Sequence, residues 1–444
     1  MTASISTILQ VTPQDVDTSE KRSKYTVAVV GCGHKGIFLA NAFADAGFNV
    51  VCTDANASVV KKAAKGKTAF AMPQAEAKLK SHLNADKITV VGELKKAVAQ
   101  SDVVVIAITA KVDEKKKNDD NGLEGTCKQI GAALRQGALV IYGGIAGFGF
   151  IEETVKQLLE NTSGFKAGQG YGLAYNPLLT TDSPIEKMEL TVAADDQTSL
   201  QAASTILKAL TKTVKEVGDT KTAEAATLFD IVKQDAETAL TSELAVFCEA
   251  AGVDYFKALA VLGFDSNNFR PSILERANSD EAYFLLESAE NLNTKLKLPR
   301  LARQINEDMT KQAVNFLAEA LKSCNKTLRR GRIAVLSPAT PAAGCFVRLL
   351  EQKGAKVVLC DPTAKKEALE GVAVRTSLNK TMEGADCIVV LSAQHSISSV
   401  NLKKIRALMK APAVLVDLAG AFEPQTVNTE GFLYFGLGRG NDEK

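Results

Sequence analysis

Tryptophan is absent from this 444-residue chain, only three histidines occur, and aromatic residues make up 6% of it. The eight cysteines (Cys32, Cys52, Cys127, Cys248, Cys324, Cys345, Cys360, Cys387) stand far apart, with no C-x-x-C pair and few histidines to share a metal. That spacing predicts no disulfide framework and no structural zinc, and cysteines that serve as small buried hydrophobes. No stretch approaches the roughly 18–20 uninterrupted apolar residues of a membrane span. The N-terminus also lacks a basic start followed by an apolar run. Fifty-three basic residues against fifty-one acidic ones give a formal net charge of +2. With no excess of either sign, no global field draws the chain to nucleic acid or to an anionic membrane. The expectation is a soluble, unsecreted, cytoplasmic protein.

What is present is 46% hydrophobic residues in a length that favours two or three domains. Residues 1–24 are polar and aperiodic and read as a flexible tail. From Tyr25, short β-branched runs (TVAVVG, VVCTD, KITVV, DVVVIAIT, ALVIYGG, ELTVAAD) alternate with segments of helical spacing. Such alternation predicts a doubly wound parallel sheet over residues 25–198. Residues 199–325 read as a helical central domain. Within it, Thr222 to Ala251 carries no Gly or Pro and stops at Gly252, predicting one long helix that is apolar on more than one face. A helix of that kind wants several neighbours, and makes a homodimer through it the default. Residues 326–444 restart the strand–helix pattern in RIAVLS, KVVLCDP, DCIVVLS, AVLVDLAG and FLYFGLG. The predicted fold class is α/β, with two Rossmann-like parallel-sheet domains joined by a long-helix central region.

The strongest local chemistry is GCGHKG, Gly31 to Gly36, between the first strand and a helix. Gly31 permits the tight turn, Gly33 lets the backbone approach a pyrophosphate, and Gly36 allows close packing of helix on strand. The helix start then presents amide groups and a positive dipole end to the diphosphate. His34 and Lys35 fill variable positions of the loop and are counted with it among the expected cofactor-binding residues. Asp54 closes the second strand about 20 residues on, where a carboxylate accepts ribose hydroxyls and repels a 2′-phosphate. The cofactor predicted is NAD.

Several further segments carry a wider likeness: IAIT ending at Thr109, LAYNP (Leu173–Pro177), AEAATLFDIVKQDAETALTSELAVFCEAAGVD, SAENLNTKLKLPRLARQINEDM (Ser288–Met309), KGAKVVLCDP and YFGLGRG. With GCGHKGIFLA, their order and spacing over residues 25–440 resemble the nucleotide-sugar dehydrogenase family, the UDP-glucose and UDP-N-acetylmannosamine dehydrogenases. The resemblance implies two NAD-dependent oxidations of a sugar alcohol, through an aldehyde held as a thiohemiacetal on a cysteine, to a carboxylate. It places Gly31, Gly33, Gly36, Asp54 and Thr109 at the cofactor, and makes a nucleotide sugar the expected partner.

At the reactive positions the chain departs from that pattern. The cysteine loop corresponds to LERANSDE (Leu274–Glu281), with Ala277 at the cysteine and Asp280 and Glu281 at a Lys-Asp pair. Leu178 stands for the glutamate of N-P-E-F, Thr227 for the lysine and Ile231 for the asparagine of A-E-x-x-K-L-x-x-N, and Ile145 for the threonine of S-T-x-P-P-G. The C-terminal substrate segment shortens to VLSPATPA (Val335–Ala342). Leucine and isoleucine neither donate, accept nor hold charge, so no residue is assigned a catalytic role. Asp230, Gln234, Arg270 and His395 are the candidates for a rebuilt site. The expectation is an NAD-binding member without the family's reaction, a pseudoenzyme or partner subunit; the alternative is an active NAD-dependent oxidoreductase with a re-made site.

Overall fold

The computed structural model describes residues 7–68, 73–179, 183–264, 269–271, 280–362, 369, 371–394, 397 and 399–440. The chain divides into two compact units, Met1–Ile231 with Tyr283–Thr294, and Val232–Ala282 with Lys295–Lys444.

The first unit is built on β1 (Thr26–Val30), β2 (Asn49–Thr53), β3 (Ile88–Val90), β4 (Val103–Ile106), β7 (Leu139–Tyr142), β8 (Gly172–Tyr175), β9 (Glu189–Ala193) and β10 (Thr213–Val217). A small antiparallel pair, β5 (Lys111–Val112) and β6 (Asn118–Asp119), stands apart. The sheet order is β10-β9-β8-β7-β4-β1-β2-β3. β9 meets β8 antiparallel, and every other pairing in the sheet is parallel. β4 and β8 are buried along their whole length, as strands covered on both faces must be. The chain runs outward through β1, β2 and β3, then returns to place β4 on the other side of β1. The crevice at the carboxyl ends of β1 and β4 is therefore the topological switch point where such sheets take ligands.

Two expectations are corrected here. Residues 7–24 are not a loose tail: Ile8, Val11 and Val16 are buried in the core of the unit. Arg22 also donates from Nη1 to the Val16 carbonyl at 2.7 Å and from Nε to the Ala46 carbonyl. β-Structure also continues past Ser199, in β10. Its sequence TVKEV shows no apolar alternation because it is an edge strand with half or more of its residues exposed.

The second unit carries β11 (Arg332–Leu336), β12 (Lys356–Cys360), β13 (Val374–Arg375), β14 (Cys387–Val390), β15 (Val414–Asp417) and β16 (Leu433–Gly436). All are parallel, in the order β13-β12-β11-β14-β15-β16. The helix Lys297–Ser323 buries Met309, Ala313, Val314, Leu317 and Leu321 in the same core as Val335, Phe346 and Leu359. Arg303 of this helix is 1% exposed and binds Asp235 at 2.6 Å, and Asn306 donates to the same carboxylate at 2.8 Å.

The long helix runs from Thr220 to Ala251 and ends at Gly252, whose φ of +70° suits glycine. The residues of the stretch 199–325 are divided between the two units. Among the described residues no helix is long and apolar enough to cross a membrane.

Candidate functional site

The loop after β1 turns at Gly31, where φ is +104° and the N–H donates to the Thr53 carbonyl at 2.8 Å. A Cβ there would sit 2.9 Å from Ile108 Cγ1 and 3.1 Å from the Ala107 carbonyl oxygen. At Gly36 a Cβ would lie 1.7 Å from the Gly31 carbonyl oxygen, so the helix His34–Ala46 can approach the strand only with glycine there. Gly33 differs: a Cβ at this N-cap would meet nothing within 4 Å. The space above Gly33 is open, and the first helical turn borders it. The three glycines thus do separate jobs, and the open one is where a pyrophosphate approaches.

Asp54 is half-buried at the end of β2. One carboxylate oxygen accepts the Cys32 N–H at 2.7 Å and the other accepts the Asn56 N–H at 2.8 Å. These bonds aim the carboxylate and leave lone pairs for ribose hydroxyls. His34 is exposed and Lys35 half-buried on the first helical turn. Thr109 is half-buried in the loop after β4, next to Ala110, whose N–H donates to the Ile145 carbonyl at 2.9 Å. The loops after β4 and β7 are therefore joined at the crevice, and Gly144 permits it: a Cβ there would lie 2.0 Å from the Ile108 carbonyl oxygen. The switch-point crevice, the open space at Gly33 and the oriented Asp54 fit NAD.

Three positions at which the resemblance expects reactive side chains are buried. Leu178 is 1% exposed, and Thr227 and Ile231 are 4% exposed. The Thr227 hydroxyl donates to the Ala223 carbonyl at 2.8 Å and is also hydrogen-bonded to Tyr175. Ile145 is buried beneath the Tyr142 hydroxyl, which donates to its carbonyl at 3.3 Å. Asn176 of the N-P pair is buried and donates to the Thr191 carbonyl of β9.

Ala277 and His395 lie outside the described residues. Asp230 is half-buried, and Lys233 pairs with Glu237 at 3.6 Å. Arg270 donates to the Ala419 and Gly420 carbonyls after β15. Seven of the cysteines are buried and Cys345 is half-buried. Burial pushes the Cys127 thiol up to about 12 and raises those of Cys248, Cys360 and Cys387; a hydrogen bond with Cys52, then burial, raises Cys32. A thiolate nucleophile needs the opposite shift.

Two carboxylates at this end of the sheet were not singled out from the sequence. Glu224 is 4% exposed on the long helix and accepts the Gly149 N–H at 2.7 Å and the Ile151 N–H at 2.8 Å. Burial pushes its carboxyl up to about 7 against the lowering effect of those two bonds. Asp120, after β6, is raised to about 6 by burial and then by Glu124, Glu287 and Asp119. The available signal for Glu224 was its place among Ala223, Thr227, Leu228 and Ile231, a helical seam otherwise free of charge.

Residues 25–216 match the UDP-glucose/GDP-mannose dehydrogenase family, NAD binding domain, and residues 340–424 match the UDP binding domain of the same family. The UDP-N-acetyl-D-mannosamine dehydrogenase of Pyrococcus horikoshii is 26% identical over 442 residues, covering 94% of this chain and 99% of that protein. The UDP-glucose 6-dehydrogenase TuaD of Bacillus subtilis is 24% identical over 442 residues, covering 93% of each. The solved structure of the Pyrococcus horikoshii UDP-D-ManNAc dehydrogenase covers 94% of this chain and 99% of its own, at 26% identity and a TM-score of 0.78. With its NAD-binding domain at residues 25–216, this chain belongs to the UDP-glucose/GDP-mannose dehydrogenase family.

Proposed function

We propose that this protein binds NAD in the Gly31–Gly36 cradle, with a nucleotide sugar as second ligand, and does not perform a thiol-dependent four-electron oxidation of that sugar. The observation that carries this reading is the closed face: Leu178, Thr227 and Ile231 are all at most 4% exposed, and none holds charge. No cysteine occurs between Cys248 and Cys324, so no thiol stands close to position 277 in the sequence. Without a thiol, the thiohemiacetal that donates the second hydride in the thiol-dependent route cannot form. The role that remains is that of a ligand-binding member of the family, a pseudoenzyme or a non-catalytic subunit. Leu240, Leu244 and Phe247 recur on one face of the long helix and are 56%, 43% and 66% exposed, which supports pairing with a second copy.

The test is NAD binding by thermal shift, followed by NADH absorbance with a panel of UDP-sugars. NAD at about a hundredfold its Kd stabilises the folded state by ~2.7 kcal/mol. The reading expects that shift with no growth of NADH; sustained NADH formation with release of a uronate overturns it.

A second reading, two-electron oxidation of a polar alcohol, is favoured by Asp120. Its carboxyl, raised to about 6, suits a base that takes the hydroxyl proton while the hydride passes to NAD. Carbonyl formation with one NADH per alcohol, abolished by Asp120→Asn, distinguishes it.

A further inference from the structure

Residues 143–150, the loop after β7, lie at the carboxyl end of the sheet, one strand beyond the β1/β4 crevice. Side chains from elsewhere in the unit hold the backbone of this loop. Glu224 accepts the Gly149 and Ile151 amides, one on each oxygen, and the Ser288 hydroxyl accepts the Phe148 N–H at 3.1 Å. The segment Ile151–Lys156 that follows is a π-helix, whose wide turn leaves its leading amides to an outside acceptor. At its other end the loop is wedged against the segment carrying Thr109, through the bond from Ala110 to the Ile145 carbonyl and the tight seat of Gly144 on Ile108. One loop thereby ties Gly149 to the segment carrying Thr109.

A buried carboxylate is a costly way to fill a seam whose neighbours are Ala223, Leu228 and Ile231; an apolar side chain would pack there with no desolvation penalty. The two amides it accepts explain its presence. We propose that Glu224 is a positioning residue for the dinucleotide site, holding residues 143–150 and, through them, the Thr109 segment in the arrangement that receives NAD. The inference rests on NAD lying in the Gly31–Gly36 cradle and is independent of whether a sugar is oxidised.

Protonation weakens the latch, because a carboxylic acid turns one acceptor oxygen into a donor and strands one of the two amides. Burial, helped by the charges of Asp195 and Glu153 and opposed by the two amide bonds, raises the carboxyl to about 7. Tyr142 and Tyr175, whose hydroxyls also feel Glu224, are both held neutral by burial. Lys221, on the same helix, pairs with Glu152 at 2.8 Å and Glu153 at 3.7 Å. Cofactor affinity therefore rises with pH as Glu224 ionises, and falls below neutrality.

The experiment is calorimetric titration of the full chain with NADH at pH 6, 7 and 8. Wild type is expected to bind more tightly at the higher pH. Glu224→Gln is expected to bind about tenfold more weakly at pH 8, as for loss of one charge-assisted bond, and to show no pH dependence. Ser288→Ala weakens binding and keeps the pH dependence. A wild-type affinity that is flat over this range overturns the proposal whether or not the variants fold. So does a folded Glu224→Gln protein with the wild-type affinity and profile. Absence of NADH binding to wild type at every pH overturns the cofactor reading and this inference with it.

Discussion

Adding one methyl group at Gly33 separates ligand binding from folding. Gly33 has φ of −71° and ψ of −167°, a conformation open to any L-residue, and its would-be Cβ meets no atom within 4 Å. Alanine is a poorer N-cap than glycine, so Gly33→Ala is expected to cost the apo protein no more than about 1 kcal/mol. The methyl group fills the space a pyrophosphate needs, and an overpacked contact of this kind costs ~1–3 kcal/mol. NAD affinity should then fall roughly 5- to 150-fold. Gly36→Ala is the contrast. Its Cβ would lie 1.7 Å from the Gly31 carbonyl oxygen, so helix and strand must part, and apo stability and binding fall together. Thermal unfolding of the apo proteins and calorimetric titration with NAD read the two effects separately. The reasoning is refuted if Gly33→Ala binds NAD as wild type does, or loses as much apo stability as Gly36→Ala.

The remaining predictions concern stability and assembly. Arg303→Met leaves the Asp235 carboxylate buried without its 2.6 Å partner and should destabilise the chain by about 3–5 kcal/mol in denaturant titrations; a loss below about 1 kcal/mol would show the pair to be dispensable. Glu224 ionises near 7 in the folded state against an ordinary value of 4.5, so the folded state holds the extra proton between these values. Its contribution is fully present below about 4.5 and is lost as pH rises through 7, a change of about 3 kcal/mol. Stability curves of Glu224→Gln should lack that slope, and an unchanged slope would assign it elsewhere. Leu244→Glu, on the exposed face of the long helix, should shift light-scattering mass from dimer to monomer; a wild-type protein already monomeric sinks the dimer proposal.

The cradle was legible in the sequence because its logic is local. Gly31, Gly33 and Gly36 do their work within one turn, and Asp54 closes the neighbouring strand, so spacing alone places them. Glu224 was not legible as a latch. Its partners Gly149 and Ile151 lie more than seventy residues away, and only the packing of a helix against a loop brings them together. The segment before Tyr25 was misread for a related reason. Ile8, Val11 and Val16 reach the core from short 3-10 turns and connecting chain, which impose no sustained helical or strand period. β10 escaped because an edge strand with Lys215 and Glu216 exposed shows no run of apolar residues. The long helix was plain from its lack of Gly and Pro. Which of its faces is buried was not: Leu228 and Ile231 are enclosed, and Leu240, Leu244 and Phe247 are exposed.

Counting the NADH formed per molecule of UDP-sugar consumed, with mass spectrometry of the sugar product, tests the central claim most directly. The Gly31–Gly36 cradle predicts bound NAD, and the buried Leu178, Thr227 and Ile231 with the alanine at position 277 predict unchanged UDP-sugar and no uronate. Two NADH per sugar with a uronate released would contradict it.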